Sequence, residues 1–119
     1  LPAFRTFSIR NDLDIAVNQI VQNLYRAQTL SQIGDGDINW GVHMATGSIL
    51  VYKGASFASR DMTYDEITDI SPSIAITGVV DVTFSKFTGL PQTTRTTTLT
   101  STANESRNVT INAKGMVNY

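Results

Sequence analysis

The sequence predicts an α+β domain in which a long N-terminal α-helix packs on an antiparallel β-sheet. In the first third of the chain, apolar residues recur at intervals of three and four, which is the period of one helix face. After Gly34 the apolar residues alternate with polar ones in short runs, and turn residues separate these runs. One helix followed only by strands is the element order of an α+β domain.

The predicted helix covers residues 1–33. Its polar face carries charged and amide side chains that can remain in water, so a single apolar stripe should be buried against the sheet. The stripe consists of Ile9, Leu13, Ala16, Val17, Ile20, Leu24 and Ala27. The helix should end near Gln32 or Ile33, because Gly34 can adopt the left-handed conformation of a helix C-cap.

Residues 38–119 are predicted to form antiparallel strands and loops. Residues 40–44 and 48–52 indicate a hairpin, since three intervening residues with a glycine suit a tight connection. Residues 53–69 are polar and show no long period, so we expect an irregular loop with room for one short strand. Further strands are predicted within residues 73–77, 80–85, 93–102, 109–111 and 116–119.

The clearest period of two lies in residues 80–85, where one face should be buried and the other wet. The residues expected to face the core are Val80, Val82 and Phe84. Those expected to face water are Asp81, Thr83 and Ser85. Combined with the helix stripe, this pattern predicts a helix–sheet core made of Leu13, Val17, Ile20, Leu24, Val82, Phe84, Val109 and Ile111.

Length and composition indicate one domain with a weakly charged surface. A chain of 119 residues can enclose a single core, so we interpret residues 1–119 as one domain. Charged residues make up only 16% and the net charge is -1, which gives no long-range attraction for nucleic acid or anionic lipid. The chain has no cysteine, so it can form neither a disulfide nor a thiolate metal site.

No residue pattern predicts catalysis, and we expect no enzyme, no metal and no cofactor. His43 is the only histidine, so neither a His-based triad nor a site with several histidines is expected. Residues 35–39 begin like a calcium loop, but Trp40 and Thr46 stand where that loop needs glycine and a bidentate carboxylate. We therefore interpret the segment as a turn. The acidic residues interpreted as a solvated loop are Asp61, Asp65, Glu66 and Asp69.

The sequence does not decide whether the chain is glycosylated or whether it binds nucleic acid. Asn104-Glu105-Ser106 and Asn108-Val109-Thr110 fit the acceptor pattern for N-glycosylation. The basic residues are dispersed along the chain, so folding would have to assemble any DNA-binding strip. The sequence contains no run of 18 apolar residues of the kind that spans a bilayer.

Four short motifs follow the helix, namely Gly41–Met44, Val51–Gly54, Val82–Pro91 and Val109–Val117. Together with the opening Leu1-Pro2-Ala3-Phe4 before an amphipathic helix, their order resembles that of type IV pilins and type II secretion pseudopilins, in particular minor pilins of the GspH/FimT type. The resemblance covers nearly the whole chain. Two features of the class do not occur in this sequence: the hydrophobic N-terminal segment and the C-terminal cysteine pair of some pilins.

The resemblance implies a pilin-like fold and a structural function, as the headgroup of a minor pilin or pseudopilin in a type IV pilus or a type II secretion-like filament. Its partners would be other pilin subunits. Before assembly it would be anchored in the inner membrane by a hydrophobic segment upstream of Leu1, and it would lie in the periplasm or at the cell surface. The alternative is a tip subunit that binds DNA for uptake or acts as an adhesin.

The start of the helix is predicted to be an assembly surface. Leu1, Pro2, Phe4 and Phe7 bring large apolar residues to a position where a helix usually shows a polar cap. Residues 1, 4 and 7 share one helix stripe beyond the expected reach of the sheet. We expect a neighbouring subunit to cover this stripe, and about 20 apolar residues to precede Leu1 in the full gene product.

Overall fold

A computed structural model describes residues 2–78, 80–92, 94 and 96–119, with the side chains of residues 2–9 and of Asp35 outside the description. Within these ranges the chain forms one long helix and two antiparallel sheets of four strands each. The α+β class predicted from the sequence is confirmed. The prediction of a single sheet is wrong, because the strands divide between two sheets.

Helix α1 spans Pro2–Gln32 and ends where the sequence predicts. Gly34 has a φ of 67°, in the left-handed region that ends the helix without a Cβ clash. The Ile33 and Gly34 amides donate to the carbonyls of Thr29 and Ser31 at 3.0 Å. A 3₁₀ turn at Asp35–Asp37 then leads into the first strand.

The first sheet contains β1 (Trp40–Ala45), β2 (Ser48–Lys53), β3 (Glu66–Asp69) and β5 (Asp81–Phe84), in the order β3-β2-β1-β5. The predicted hairpin is confirmed as β1–β2. Its loop is only Thr46-Gly47, since Ala45 pairs with Ser48. The polar stretch of residues 53–69, where we expected at most one short strand, contains β3, which follows a 3₁₀ turn at Met62–Tyr64.

The second sheet contains β4 (Ala75–Gly78), β6 (Thr96–Thr100), β7 (Ser106–Ile111) and β8 (Val117–Asn118), in the order β4-β6-β7-β8. The threonine-rich stretch forms β6 at its centre, where Thr97 pairs with Val109. The chain moves from the first sheet to the second at β4 and back for β5. Alternation shows which side chains face inward but not which strands are neighbours, so the sequence pattern does not reveal this exchange.

Helix α1 lies on the inner faces of both sheets, in contact with β1, β2 and β5 of the first and β6 and β7 of the second. One buried apolar cluster fills the space between them. All eight residues of the predicted helix–sheet core belong to this cluster and are buried. None of the described helices combines the length and apolar content needed to span a bilayer.

Thr83 lies on the face of β5 that we expected to be exposed to solvent. Its side chain is buried, because the Tyr52 ring covers this part of the outer face of the first sheet. Asp81, on the same face, keeps about 40% of its side chain exposed. The two residues therefore share a face but differ in exposure.

Candidate functional site

Helix α1 begins well before the first of its described side chains that is buried. Its 31 residues correspond to a length of about 46 Å. Among the described helix side chains, burial begins at Leu13, about three helical turns after Pro2, and continues to Ser31. Arg10 and Asn11, the first described side chains, are exposed. Among the described side chains, the sheets thus cover α1 from Leu13 to Ser31.

Two ion pairs tie the start of the packed region to the second sheet. Arg10 Nε donates to Glu105 Oε1 at 2.8 Å, in the turn between β6 and β7. Arg107 Nε on β7 lies 3.6 Å from Asp14 Oδ1. All four side chains are at least partly exposed, so water and salt weaken both pairs.

A cleft opens beside the same ion pairs. It has a volume of about 330 Å³ and lies between the helix, β7 and the end of β8. Its lining residues are Asp14, Val17, Asn18, Arg107 and Tyr119. The start of the packed helix therefore borders a surface depression instead of a filled interface.

The predicted assembly residues precede this region. Leu1 lies outside the described residues. The backbone at Pro2, Phe4 and Phe7 belongs to α1, but their side chains are outside the description. Their role in assembly stays a prediction.

The other end of α1 is held by buried polar contacts. The buried Ser31 hydroxyl accepts from the Trp40 amide at 2.9 Å and donates to the Phe84 carbonyl at 3.1 Å. Gln28 Nε2 donates to the Gly89 and Gly115 carbonyls, at 3.0 and 2.9 Å. Four chain segments therefore meet where the helix ends.

A second polar cluster lies on the outer face of the first sheet. The Tyr52 ring crosses β1 at Gly41, where a Cβ would lie 2.5 Å from the Tyr52 hydroxyl oxygen. The hydroxyl reaches β5 and lies 2.6 Å from both Asp81 Oδ1 and Thr83 Oγ1. Burial, and then the hydrogen bond to Asp81, raises the pKa of Tyr52 well above its usual value near 10. The phenol therefore remains protonated and acts as a structural cross-link.

His43 is a wall residue of this cluster. Its ring stacks on Phe57 with centroids 3.8 Å apart, and the Arg60 guanidinium covers the same Phe57 ring at 4.1 Å. His43 Nδ1 is buried and lies 3.7 Å from Asp81 Oδ2, beyond hydrogen-bond distance. These contacts fasten the segment after β2 over the outer face of the sheet.

The predicted turn and acidic loop have structural partners. Asn39 Oδ1 accepts from the Lys86 amide at 2.7 Å, and Asp37 pairs with the Lys86 ammonium. Asp65 pairs with Arg60 and Glu66 with Arg26. In the described part of the chain, no three acidic or histidine side chains are placed to hold one metal ion.

The sequence alone does not single out Ser31, Tyr52 or Phe87. Phe87 has a φ of 69°, although its side chain is bulky and 60% exposed. A buried serine and a strand tyrosine look ordinary in sequence, since their partners come from distant strands. Only Gly41 offered a signal, because a strand glycine often marks a close approach of another group.

Comparison of the chain with protein-family models, with curated proteins and with solved structures finds no match. The pilin resemblance therefore stays a prediction from the order of the sequence motifs.

Proposed function

We propose that this chain is a structural subunit, a minor pilin or pseudopilin, of a type IV pilus or type II secretion-like filament. The observation that carries the proposal is that α1 begins at Pro2, about three turns before Leu13, the first buried residue among the described side chains. We infer that the first turns of this helix take a packing surface beyond the two sheets. In the proposed filament, helices of neighbouring subunits supply that surface.

The contacts along the helix support this role. The packed part ends in buried hydrogen bonds at Ser31 and Gln28, which hold the headgroup rigidly at one end. The start of the packed part is held by the exposed pairs of Arg10 and Asp14 and borders an open cleft. Neighbouring helices could displace these weak contacts at low cost.

The proposed partners are other pilin subunits, with the inner membrane as the site of anchoring before assembly. The proposed location is the periplasm or the cell surface. We also propose that the α+β fold of this chain is pilin-like.

Cysteine cross-linking tests the proposal, because the chain has no cysteine of its own. Asn11→Cys places a thiol on the exposed start of the helix in the full-length gene product. In cells that express the complete filament system, a thiol-specific cross-linker should join Asn11→Cys to a second pilin subunit. Thr102→Cys, in the exposed turn after β6, is the matched control and should cross-link far less.

The result would count against the proposal if the two cysteines cross-linked equally, or if cross-linking persisted without the assembly ATPase. In the first case the helix start would not be the assembly surface. In the second, the contact would not depend on a filament.

The DNA-binding alternative finds less support in the structure. Among the described basic side chains, five pair with carboxylates, namely Arg10, Arg26, Arg60, Lys86 and Arg107. Phosphate binding would have to replace these pairs in a chain with a net charge of -1. We therefore expect no shift of labelled duplex DNA at micromolar protein and physiological salt.

A further inference from the structure

Three segments meet at the C-terminal end of α1 and display apolar side chains to solvent. The Phe87 amide donates to the Ser31 carbonyl at 2.6 Å, and Gln28 joins the loops that contain Gly89 and Gly115. Four large apolar residues of these segments are 43% to 67% exposed. We call them the helix-end patch, and they are Ile33, Phe87, Leu90 and Met116.

Several hydrogen bonds hold the loop that carries Phe87. Its Lys86 amide donates to Asn39 Oδ1 at 2.7 Å, and its Ser85 and Gly89 amides donate to carbonyls of the same loop at 2.9 Å. Phe87 is held in the left-handed region, which a phenylalanine rarely adopts. A Cβ on residue 34 would collide with the Phe87 ring, so Gly34 makes room for it. The fold thus fixes an exposed aromatic ring in a strained conformation.

The size of the patch argues against a stable protein complex as its purpose. Four side chains of this kind bury on the order of 400–500 Å² when covered, whereas a stable interface takes roughly 800 Å² from each partner. A lipid surface needs no matching pocket and accepts protruding apolar side chains directly. We propose that the helix-end patch inserts into the interfacial region of a lipid bilayer.

The charge around the patch is small, so apolar burial would supply most of the attraction to lipid. Lys86, next to Phe87, pairs with Asp37, and the exposed Lys114 near Met116 adds one positive charge. A second exposed apolar group, formed by Met62, Tyr64 and Ile67, lies in a segment with four carboxylates. Asp65 and Glu66 pair with arginines, whereas Asp61 and Asp69 carry negative charge that disfavours lipid contact, so this second group provides a matched control of similar exposure.

Vesicle flotation tests the proposal with phosphatidylcholine alone and with added phosphatidylglycerol. The background is the Phe4→Ser/Phe7→Ser variant of the 119-residue chain, so that the helix start does not contribute. The chain should float with phosphatidylcholine vesicles, and Phe87→Ser or Met116→Ser should lower the partition coefficient at least about ten-fold. Met62→Ser and Ile67→Ser should leave it within about two-fold, and added salt should change it little.

The proposal is overturned if the background chain does not float with phosphatidylcholine, or if the Met62 and Ile67 variants lose as much binding as the Phe87 variant. Binding that requires phosphatidylglycerol and falls with salt would also overturn it. So would a dimer in sedimentation that Phe87→Ser abolishes, since the patch would then bind a second copy. Near-ultraviolet circular dichroism checks that each variant is folded. None of these results depends on filament assembly.

Discussion

The two ends of the packed part of helix α1 are held by different forces. At Ser31, whose side chain is fully buried, hydrogen bonds join the helix to β1 and β5. At Arg10 and Asp14, the contacts are ion pairs between side chains that are at least partly exposed. Buried polar contacts are strong because the groups have no solvent to replace their partner, whereas exposed pairs compete with water and salt.

In the proposed filament, this difference would separate folding from assembly along a single helix. The end that specifies the headgroup is fixed by contacts that cannot be exchanged without exposing unsatisfied groups. The end that we assign to assembly is held by contacts that a neighbour can replace. A graded series of substitutions along and beneath the helix can test this separation.

The largest effect is expected in the apolar layer under the helix. Leu24→Ala and Phe84→Ala remove fully packed side chains and leave cavities, so each should lower the free energy of unfolding by about 2–5 kcal/mol. Ile15→Ala is the matched control, since Ile15 lies on the same helix and is 46% exposed. Urea denaturation measures all three. An unchanged midpoint for Leu24→Ala would show that the buried helix face is misassigned.

The next effect concerns the fixed end of the helix. Ser31→Ala removes the buried hydroxyl that accepts a hydrogen bond from the Trp40 amide and donates one to the Phe84 carbonyl. Loss of a buried hydrogen-bonding group should cost about 1–3 kcal/mol of unfolding free energy. Thr29→Ala, two residues earlier and exposed, serves as the control. Equal denaturation midpoints for the two variants would remove the distinction between the two helix ends.

Tyr52 tests a polar contact away from the helix. Tyr52→Phe deletes the hydroxyl shared with Asp81 and Thr83 and should cost about 1 kcal/mol. Because burial raises the pKa of Tyr52 above its value in the unfolded chain, the folded state retains the phenolic proton at alkaline pH. This contribution to stability is fully present below about pH 10 and is lost as the pH rises through the folded-state pKa.

Two measurements test this pH dependence. The tyrosinate absorbance that Tyr52→Phe removes should develop only above about pH 10 in the native protein. Above that pH the wild-type chain should also lose stability more steeply than Tyr52→Phe. If Tyr52 ionised in the native state below that pH, its ring would have to be open to solvent.

The smallest effect on folding is expected at the start of the helix. Phe4→Ser/Phe7→Ser should change the free energy of unfolding of the 119-residue chain by no more than about 0.5 kcal/mol, because both residues precede the first described buried position. The same change should reduce incorporation of the full-length protein into filaments. Calorimetry and quantification of sheared filaments measure the two effects. Unfolding of the double variant would place these rings in the core and end the assembly argument.

Much of the fold could be predicted from local patterns. The helix period located the stripe from Leu13 to Ala27, and Gly34 marked the helix end. Alternation located the inward positions at Val82, Phe84, Val109 and Ile111. These features depend on neighbours in sequence, where the periods of helices and strands determine which side chains share a face.

Strand partners and polar contacts could not be predicted in the same way. Thr83 was expected in water, but Tyr52 covers it from two strands away. The left-handed conformation of Phe87 was also missed, because its causes are Ser31, Asn39 and Gly34 in distant segments.

By itself, therefore, the sequence determined the α+β class, the buried helix face and the β1–β2 hairpin, since each follows from periodicity or turn chemistry within a few neighbouring residues. The tertiary structure alone decided that the strands form two sheets, that the buried hydroxyls of Ser31 and Tyr52 join α1 and β2 to strand β5 of the first sheet, and that Phe87 is displayed beside the helix end. The physical reason is that these contacts join residues up to about half the chain apart, and their free energy depends on burial that no local pattern encodes.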